Sequence, residues 1–138
     1  MKILVINGPN LNRLGRREPD VYGRWTMEDC MDHLRSTFPD VEFGYFQSNC
    51  EGTLIDRLQE ADADGVDGIV LNAGAYTHTS VALADCLRDI RVPVVEVHIS
   101  NIYAREDFRR RSLLSEACRG VVCGFGMKTY ELAVRGLR

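Results

Sequence analysis

The sequence predicts a three-layer, doubly wound α/β fold around a five-stranded parallel sheet, and two observations carry that reading. Short apolar runs alternate along the chain with segments whose hydrophobic residues recur at helical spacing. The apolar runs are continuous rather than alternating, as strands read when helices cover both faces of their sheet. With 138 residues, 45% hydrophobic and 27% charged, the chain suits one domain over residues 1–138, and no repeat, linker or charge block divides it.

Residues 2–6 (KILVI) form the first strand. Thr26, with Asp29 three residues on, is a capping-box signature, and Met27, Cys30, Met31, Leu34 and Phe38 follow on one helical face until Pro39 and Asp40 end it. Val41, Phe43 and Tyr45 alternate as a second, edge strand. Leu54, Leu58 and Ala61 mark a helix that stops near Gly65. Residues 68–71 give the third strand and residues 79–90 the next helix. Pro93 leads a fourth strand through Val97, residues 120–123 make a fifth, and residues 128–137 form the last helix. The expected strand order is 2-1-3-4-5, a flavodoxin-like arrangement.

Charge and composition narrow the function. Seventeen basic against 20 acidic residues give a net charge of −3, which argues against a nucleic-acid partner. Only Lys2 and Lys128 are lysines; arginines gather at Arg13, Arg16, Arg17 and Arg24 and again at Arg105, Arg109, Arg110 and Arg111. A guanidinium is a planar fork suited to a carboxylate or phosphate, and solvated surface is the other reading of each cluster. Five scattered cysteines without a C-x-x-C suggest neither a disulfide framework nor a zinc site, and several fall among apolar neighbours, where they read as small buried hydrophobes. No apolar run approaches the ~20 residues of a membrane span, nor does a signal-peptide apolar region follow Met1, so a cytoplasmic protein is expected.

In such a sheet, ligands bind beyond the carboxyl ends of the strands, so the residues after each strand form one candidate pocket. After strand one come Asn7-Gly-Pro-Asn10 and a loop with Arg13, Arg16, Arg17, Tyr22 and Arg24. After strand three comes the run from Asn72 to His78. Strand four ends in Glu96-Val-His98-Ile-Ser-Asn101, and strand five in Gly124-Phe-Gly126. Glu96 and His98, two apart on a strand, share a face, with Val95 and Val97 on the other. A carboxylate beside an imidazole fixes its tautomer and prepares it to deliver a proton, although a structural pair at a strand end has the same spacing.

Other chemistries find less support. His78, His98 and Glu96 lack the H-E-x-x-H spacing of a zinc site, and His33 looks exposed on the first helix. Neither a phosphate loop, nor a third glycine after Gly124-Phe-Gly126, nor a G-x-S-x-G elbow occurs. A phosphoacceptor domain would want acidic groups where Asn7 and Asn72 stand. What remains is acid–base chemistry on a small anion, with no metal or cofactor expected. Tyr22 is a candidate base. Its ordinary pKa of ~10 would have to fall by ~3, worth ~4 kcal/mol, and one close arginine supplies a lowering of roughly 1–3. That requires Arg17 against the phenol oxygen; decoration of a surface loop is the other reading. A non-catalytic small-anion-binding module on the same fold also fits these residues.

Four motifs occur in order: Asn7-Gly-Pro-Asn10-Leu-Asn12; Gly15-Arg-Arg-Glu-Pro19 with Tyr22-Gly23; Leu71-Asn-Ala-Gly74 with Thr77-His-Thr-Ser80; and Glu96-Val-His-Ile-Ser-Asn101 with Arg105-Glu and Phe108-Arg109. Over essentially the whole chain, down to Gly124-x-Gly126 and Tyr130, the sequence resembles the type II 3-dehydroquinate dehydratases. The resemblance implies dehydration of 3-dehydroquinate to 3-dehydroshikimate by anti elimination through an enolate, without cofactor, in aromatic amino-acid biosynthesis or quinate catabolism. It implies Tyr22 as base, Arg17 as the group keeping it ionised, and Asn10 as the holder of a water at the enolate oxygen. His98, oriented by Glu96, matches the acid. Asn72, His78 and Arg109 match groups that bind substrate hydroxyls, and the backbone of Ile99 and Ser100 matches the carboxylate cradle. Arg105 matches an arginine of the lid and site region, and Asp85 an aspartate reaching the site from a neighbouring subunit. A homo-oligomer, trimers assembled into a dodecamer, is implied as well. Two positions depart from the family pattern: Ala84 stands where arginine is usual, and Cys50 where histidine is common.

Overall fold

The computed structural model describes residues 1–16, 18, 20 and 23–138. Five strands, β1 (Lys2–Asn7), β2 (Glu42–Gln47), β3 (Gly68–Asn72), β4 (Val94–His98) and β5 (Gly120–Cys123), form one sheet in the order β2-β1-β3-β4-β5, every neighbouring pair parallel. The longer helices among the described residues are α1 (Met27–Thr37), α2 (Glu51–Ala63), α3 (Val81–Asp89) and α4 (Lys128–Leu137).

Alternate side chains of each strand feed two cores. Ile3, Val5, Val70, Val95 and Val97 pack under α1 and α4, against Cys30, Leu34, Tyr130 and Val134. Leu4, Ile6, Ile69, Leu71 and Val94 pack under α2 and α3, against Leu54, Leu58, Leu83 and Leu87. Both faces of the three inner strands are therefore dry, and the continuous apolar runs follow from that. Edge strands β2 and β5 are only half-buried.

The helix starts are chemically marked. Thr26 Oγ1 accepts from the Asp29 N–H at 3.2 Å, while Asp29 Oδ2 accepts from the Thr26 N–H at 3.0 Å, which closes the capping box of α1. The helix expected over 79–90 begins later, at Val81, because the Ser80 hydroxyl caps it by accepting from the Leu83 N–H at 3.0 Å. The preceding Gly74–His78 winds instead as a tight 3-10 turn, which carries His78 back over the sheet end.

One expectation needs correction. His33 is half-buried rather than exposed, its Nε2 lying 2.8 Å from Glu131 Oε2 and its ring beside Trp25. The cysteines follow the expectation, with Cys30 and Cys86 buried in the two cores, Cys118 and Cys123 half-buried and Cys50 exposed. Among the described residues, no helix is long and apolar enough to cross a membrane.

Candidate active site

The parallel register sets the site's floor. Asn7 and Asn72 are partners across β1 and β3, and His98 of β4 lies opposite Cys123 of β5, so these polar side chains end their strands at one edge of the sheet. There a cavity of about 110 Å³ opens. Pro9, Asn10 and Leu11 line it from the loop after β1, and Asn72, Gly74 and His78 from the β3 side. His98, Ile99 and Ser100 line it at the end of β4, with Arg105 and Arg109 beyond them.

Close backbone packing shapes that cavity. The Gly8 N–H donates to the Asn72 carbonyl at 2.7 Å, and a Cβ on Gly8 would lie 2.6 Å from the Ala73 carbonyl oxygen, so only glycine lets the two loops meet. Asn10 takes a left-handed conformation, φ 69°, and its N–H donates to Asn49 Oδ1 at 3.0 Å. On the far side, Gly124 has φ +92° and its N–H donates to the His98 carbonyl, while Gly126 N–H donates to that of Ile99. Those two bonds pin the turn at Ile99 and Ser100.

Beneath the floor lies a dry polar cluster. The Tyr130 hydroxyl, reaching in from α4, donates to Asn7 Oδ1 at 2.7 Å and accepts from Asn72 Nδ2 at 3.1 Å. Asn72 Oδ1 in turn accepts from the Gly74 N–H at 3.2 Å. Burial pushes the Tyr130 hydroxyl far up, beyond any role in proton transfer, so it acts as a fixed hydrogen-bond hub.

The two histidines are tuned differently. Glu96 is fully buried, and its Oε2 accepts from His98 Nε2 at 2.6 Å. Its other oxygen, Oε1, accepts from Ser112 Oγ at 2.9 Å and Ser115 Oγ at 2.7 Å. Burial alone would raise the carboxyl, but the His98 hydrogen bond and charge and the two hydroxyls outweigh it and hold the group below the usual carboxylate range. With Nε2 committed to Glu96, Nδ1 is the ring atom of His98 left for a ligand. His78 stacks on His98 with ring centroids 6.3 Å apart, and its Nδ1 lies 2.8 Å from the Arg111 carbonyl oxygen. A carbonyl only accepts, so Nδ1 carries the hydrogen and neutral His78 offers Nε2 as an acceptor. Burial lowers its pKa, and the nearby His98 and Arg109 charges add to that against the hydrogen bond to Arg111.

A family model described as dehydroquinase class II matches residues 1–138. The chain belongs to the class II dehydroquinase family. Among its relatives is the 3-dehydroquinate dehydratase of Pelodictyon phaeoclathratiforme, 56% identical over 99% of this chain and 91% of that protein. That of Rhizobium johnstonii is 54% identical over 99% and 94%. The type II dehydroquinase of Butyrivibrio crossotus superposes with a TM-score of 0.96 at 46% identity, covering 99% of this chain and 97% of that one. A 3-dehydroquinate dehydratase-like protein of Bifidobacterium longum reaches 0.72 at 25% identity over 99% and 94%.

Within this class II dehydroquinase fold, the cavity collects Asn10, Asn72, His78, His98, Ile99, Ser100, Arg105 and Arg109, with Glu96 directly behind His98. Asp85 stands apart, exposed on α3 and 3.5 Å from Arg88. Arg17 and Tyr22 lie outside the described residues. Sequence reading missed Ser112 and Ser115. Their only signal was general: a carboxylate expected at the end of a buried strand must find donors somewhere. Among the described residues, no three His, Cys, Asp or Glu side chains converge as a metal set, and both Glu96 oxygens are committed to hydrogen bonds.

Proposed function

We propose that this chain, a 3-dehydroquinate dehydratase, eliminates water through an enolate, with Tyr22 as tyrosinate base and His98 as general acid. The observation that carries the reading is the His98–Glu96 pair at 2.6 Å on the wall of a cavity that also holds His78, Arg105 and Arg109. Tyr22 enters from the family resemblance of its loop, as does Arg17, the cation that keeps the phenolate charged. The phenolate takes the proton beside the substrate ketone, and the electron pair moves onto the carbonyl oxygen as an enolate. Asn10 holds a water at that oxygen, where a preorganised donor contributes most while charge develops. As the enolate collapses, the carbon–oxygen bond on the opposite ring face breaks, and His98 protonates the leaving hydroxyl so that it departs as water. Glu96 orients the imidazole and balances its charge.

Binding follows from the remaining groups. The backbone at Ile99 and Ser100 cradles the substrate carboxylate, with Arg105, whose Nη1 reaches Ser100 Oγ at 3.4 Å, supplying charge beside it. His78 Nε2 accepts from a substrate hydroxyl, and Asn72 and Arg109 bind the others. Residues 1–138 act as one catalytic domain, in a cytoplasmic homo-oligomer of trimers assembled into a dodecamer, where Asp85 serves a neighbouring subunit's site.

The test is direct. Tyr22→Phe and His98→Ala, each checked for folding by circular dichroism, should lower kcat for 3-dehydroquinate by at least ~100-fold, read from the ultraviolet absorbance of the enone product. Parent-level turnover in either folded variant would reject the role assignment.

A further inference from the structure

The roles above leave unused the two hydroxyls that converge on Glu96. We propose that Ser112 and Ser115 are positioning residues that keep the shared proton of the Glu96–His98 pair on Nε2 of the imidazole, so that the ring can give up its Nδ1 hydrogen to the cavity. The inference rests on the reading of His98 as the proton donor and says what holds that donor loaded.

A buried carboxylate next to an imidazole has two ways to place one proton. In dry surroundings the neutral arrangement, carboxylic acid beside neutral ring, avoids two buried charges. The proton then sits on Glu96, where no ligand can reach it, because the residue is fully buried. Hydrogen bonds donated to the carboxylate reverse that balance, since they exist in full only while it is ionised.

The geometry makes these donors one-directional. Ser112 Oγ already accepts from the N–H groups of Leu114, at 3.1 Å, and Ser115, at 3.2 Å, so its single hydrogen is directed to Glu96 Oε1 at 2.9 Å. A proton on Oε1 would face that hydrogen, and Ser112 cannot turn round without breaking its turn. Ser115 Oγ approaches the same oxygen at 2.7 Å. The two hydroxyls thus claim the side of the carboxylate opposite His98, leaving Oε2 to face Nε2.

The charges around the pair, among the described residues, give that support something to act against. Neutral His78 stacks on His98, and Arg105 and Arg109 line the same cavity, Arg109 paired with Glu106 at 3.3 Å, so the guanidinium groups oppose a charge on the ring. Cys118, on the Glu96 side, has its thiol pushed up to about 12 by burial and the Glu96 charge, so it stays uncharged. Glu96 is then a local counter-charge to His98, and the two serines add to the His98 hydrogen bond and charge in keeping it ionised. The strut that carries them is docked on the other histidine's turn, with Leu113 N–H donating to the Thr77 carbonyl at 2.9 Å and the Arg111 carbonyl taking His78 Nδ1–H.

The experiment compares the parent with Ser115→Ala, with Ser112→Ala/Ser115→Ala and with Ser115→Thr, which keeps a hydroxyl. Ser115→Ala is the cleaner single change because Ser112 also holds its turn. Two readouts are followed against pH: the Glu96 carboxyl carbon and His98 ring nitrogens by NMR, and kcat and KM for 3-dehydroquinate. Each lost hydroxyl should raise the Glu96 titration by roughly one pH unit and carry the acidic limb of kcat upward with it, KM staying within about twofold. Ser115→Thr should titrate like the parent. If Glu96 titrates identically in parent, Ser115→Ala and the double variant, the proposal is overturned. If Glu96 shifts as expected while the kcat profile stays put, the serines' role stands, and the reading of His98 as the acid fails instead.

Discussion

Replacing Tyr130 by phenylalanine removes one oxygen from the driest part of the molecule, and the loss can be worked from the geometry. That oxygen donates to Asn7 Oδ1 at 2.7 Å and accepts from Asn72 Nδ2 at 3.1 Å. Tyr130 and Asn7 are 0% exposed and Asn72 is 3% exposed, so water cannot take its place. Each buried group left unpaired costs roughly 1–3 kcal/mol. Because Asn7 and Asn72 are register partners on β1 and β3, their orphaned atoms can partly satisfy each other, which puts the loss at about 2–4 kcal/mol. A domain of this size has only about 5–15 kcal/mol to lose. Urea unfolding, followed by the fluorescence of Trp25, the chain's one tryptophan, should show the midpoint falling by about 1–2 M with an unchanged slope. KM should rise as well, since Asn72 lines the cavity. A loss below about 0.5 kcal/mol, with KM unaltered, would mean that the cluster neither holds the sheet end nor aims Asn72.

Gly8→Ala should cost about 1–3 kcal/mol and most of the activity, because its Cβ would sit 2.6 Å from the Ala73 carbonyl oxygen and push the Asn10 loop off the cavity; thermal melting and a kcat/KM measurement check both. Acid should unfold the protein partly through Glu96. Its folded pKa lies below the ordinary value of 4.5, so its contribution to stability is complete above that pH and is lost as pH falls through the lower, folded value. Glu96→Gln should therefore flatten the decline of stability below about pH 4.5, as read from urea midpoints across the acid range.

The legible parts of the molecule were those governed by short-range repetition. Continuous apolar runs such as residues 68–71 carry their own strand signature, because burial on both faces leaves no room for alternation. Glu96 and His98 were legible for the same reason: two residues along a strand is one face, whatever the rest of the chain does. The 3-10 turns at Ile102–Ala104, Asp107–Arg110 and Ser115–Ala117 escaped notice, since a single turn has no period to detect. Ser112 and Ser115 were hidden more deeply. Their partner lies 16 and 19 residues back in the chain, and only the crossing of the 109–115 segment beneath β4 brings hydroxyl and carboxylate together. His33 was misjudged because its position on α1 says nothing of α4, whose Glu131 covers it from 98 residues away.

The cavity's division of labour follows from which nitrogen each histidine gives up. His98 spends Nε2 on a carboxylate, which leaves Nδ1 as the ring atom that faces the cavity. His78 spends Nδ1 on a backbone carbonyl, a neutral partner, in surroundings whose burial and neighbouring cations resist a second proton, and so presents an acceptor. The rings stack 6.3 Å apart, and simultaneous charge on both would be repulsive, so the partner of each helps to fix the state of the other. The proposed mechanism, in which one oxygen of the substrate ring is protonated while another is merely held, calls for two such unlike groups side by side. Here identical imidazoles become unlike through one carboxylate and one carbonyl.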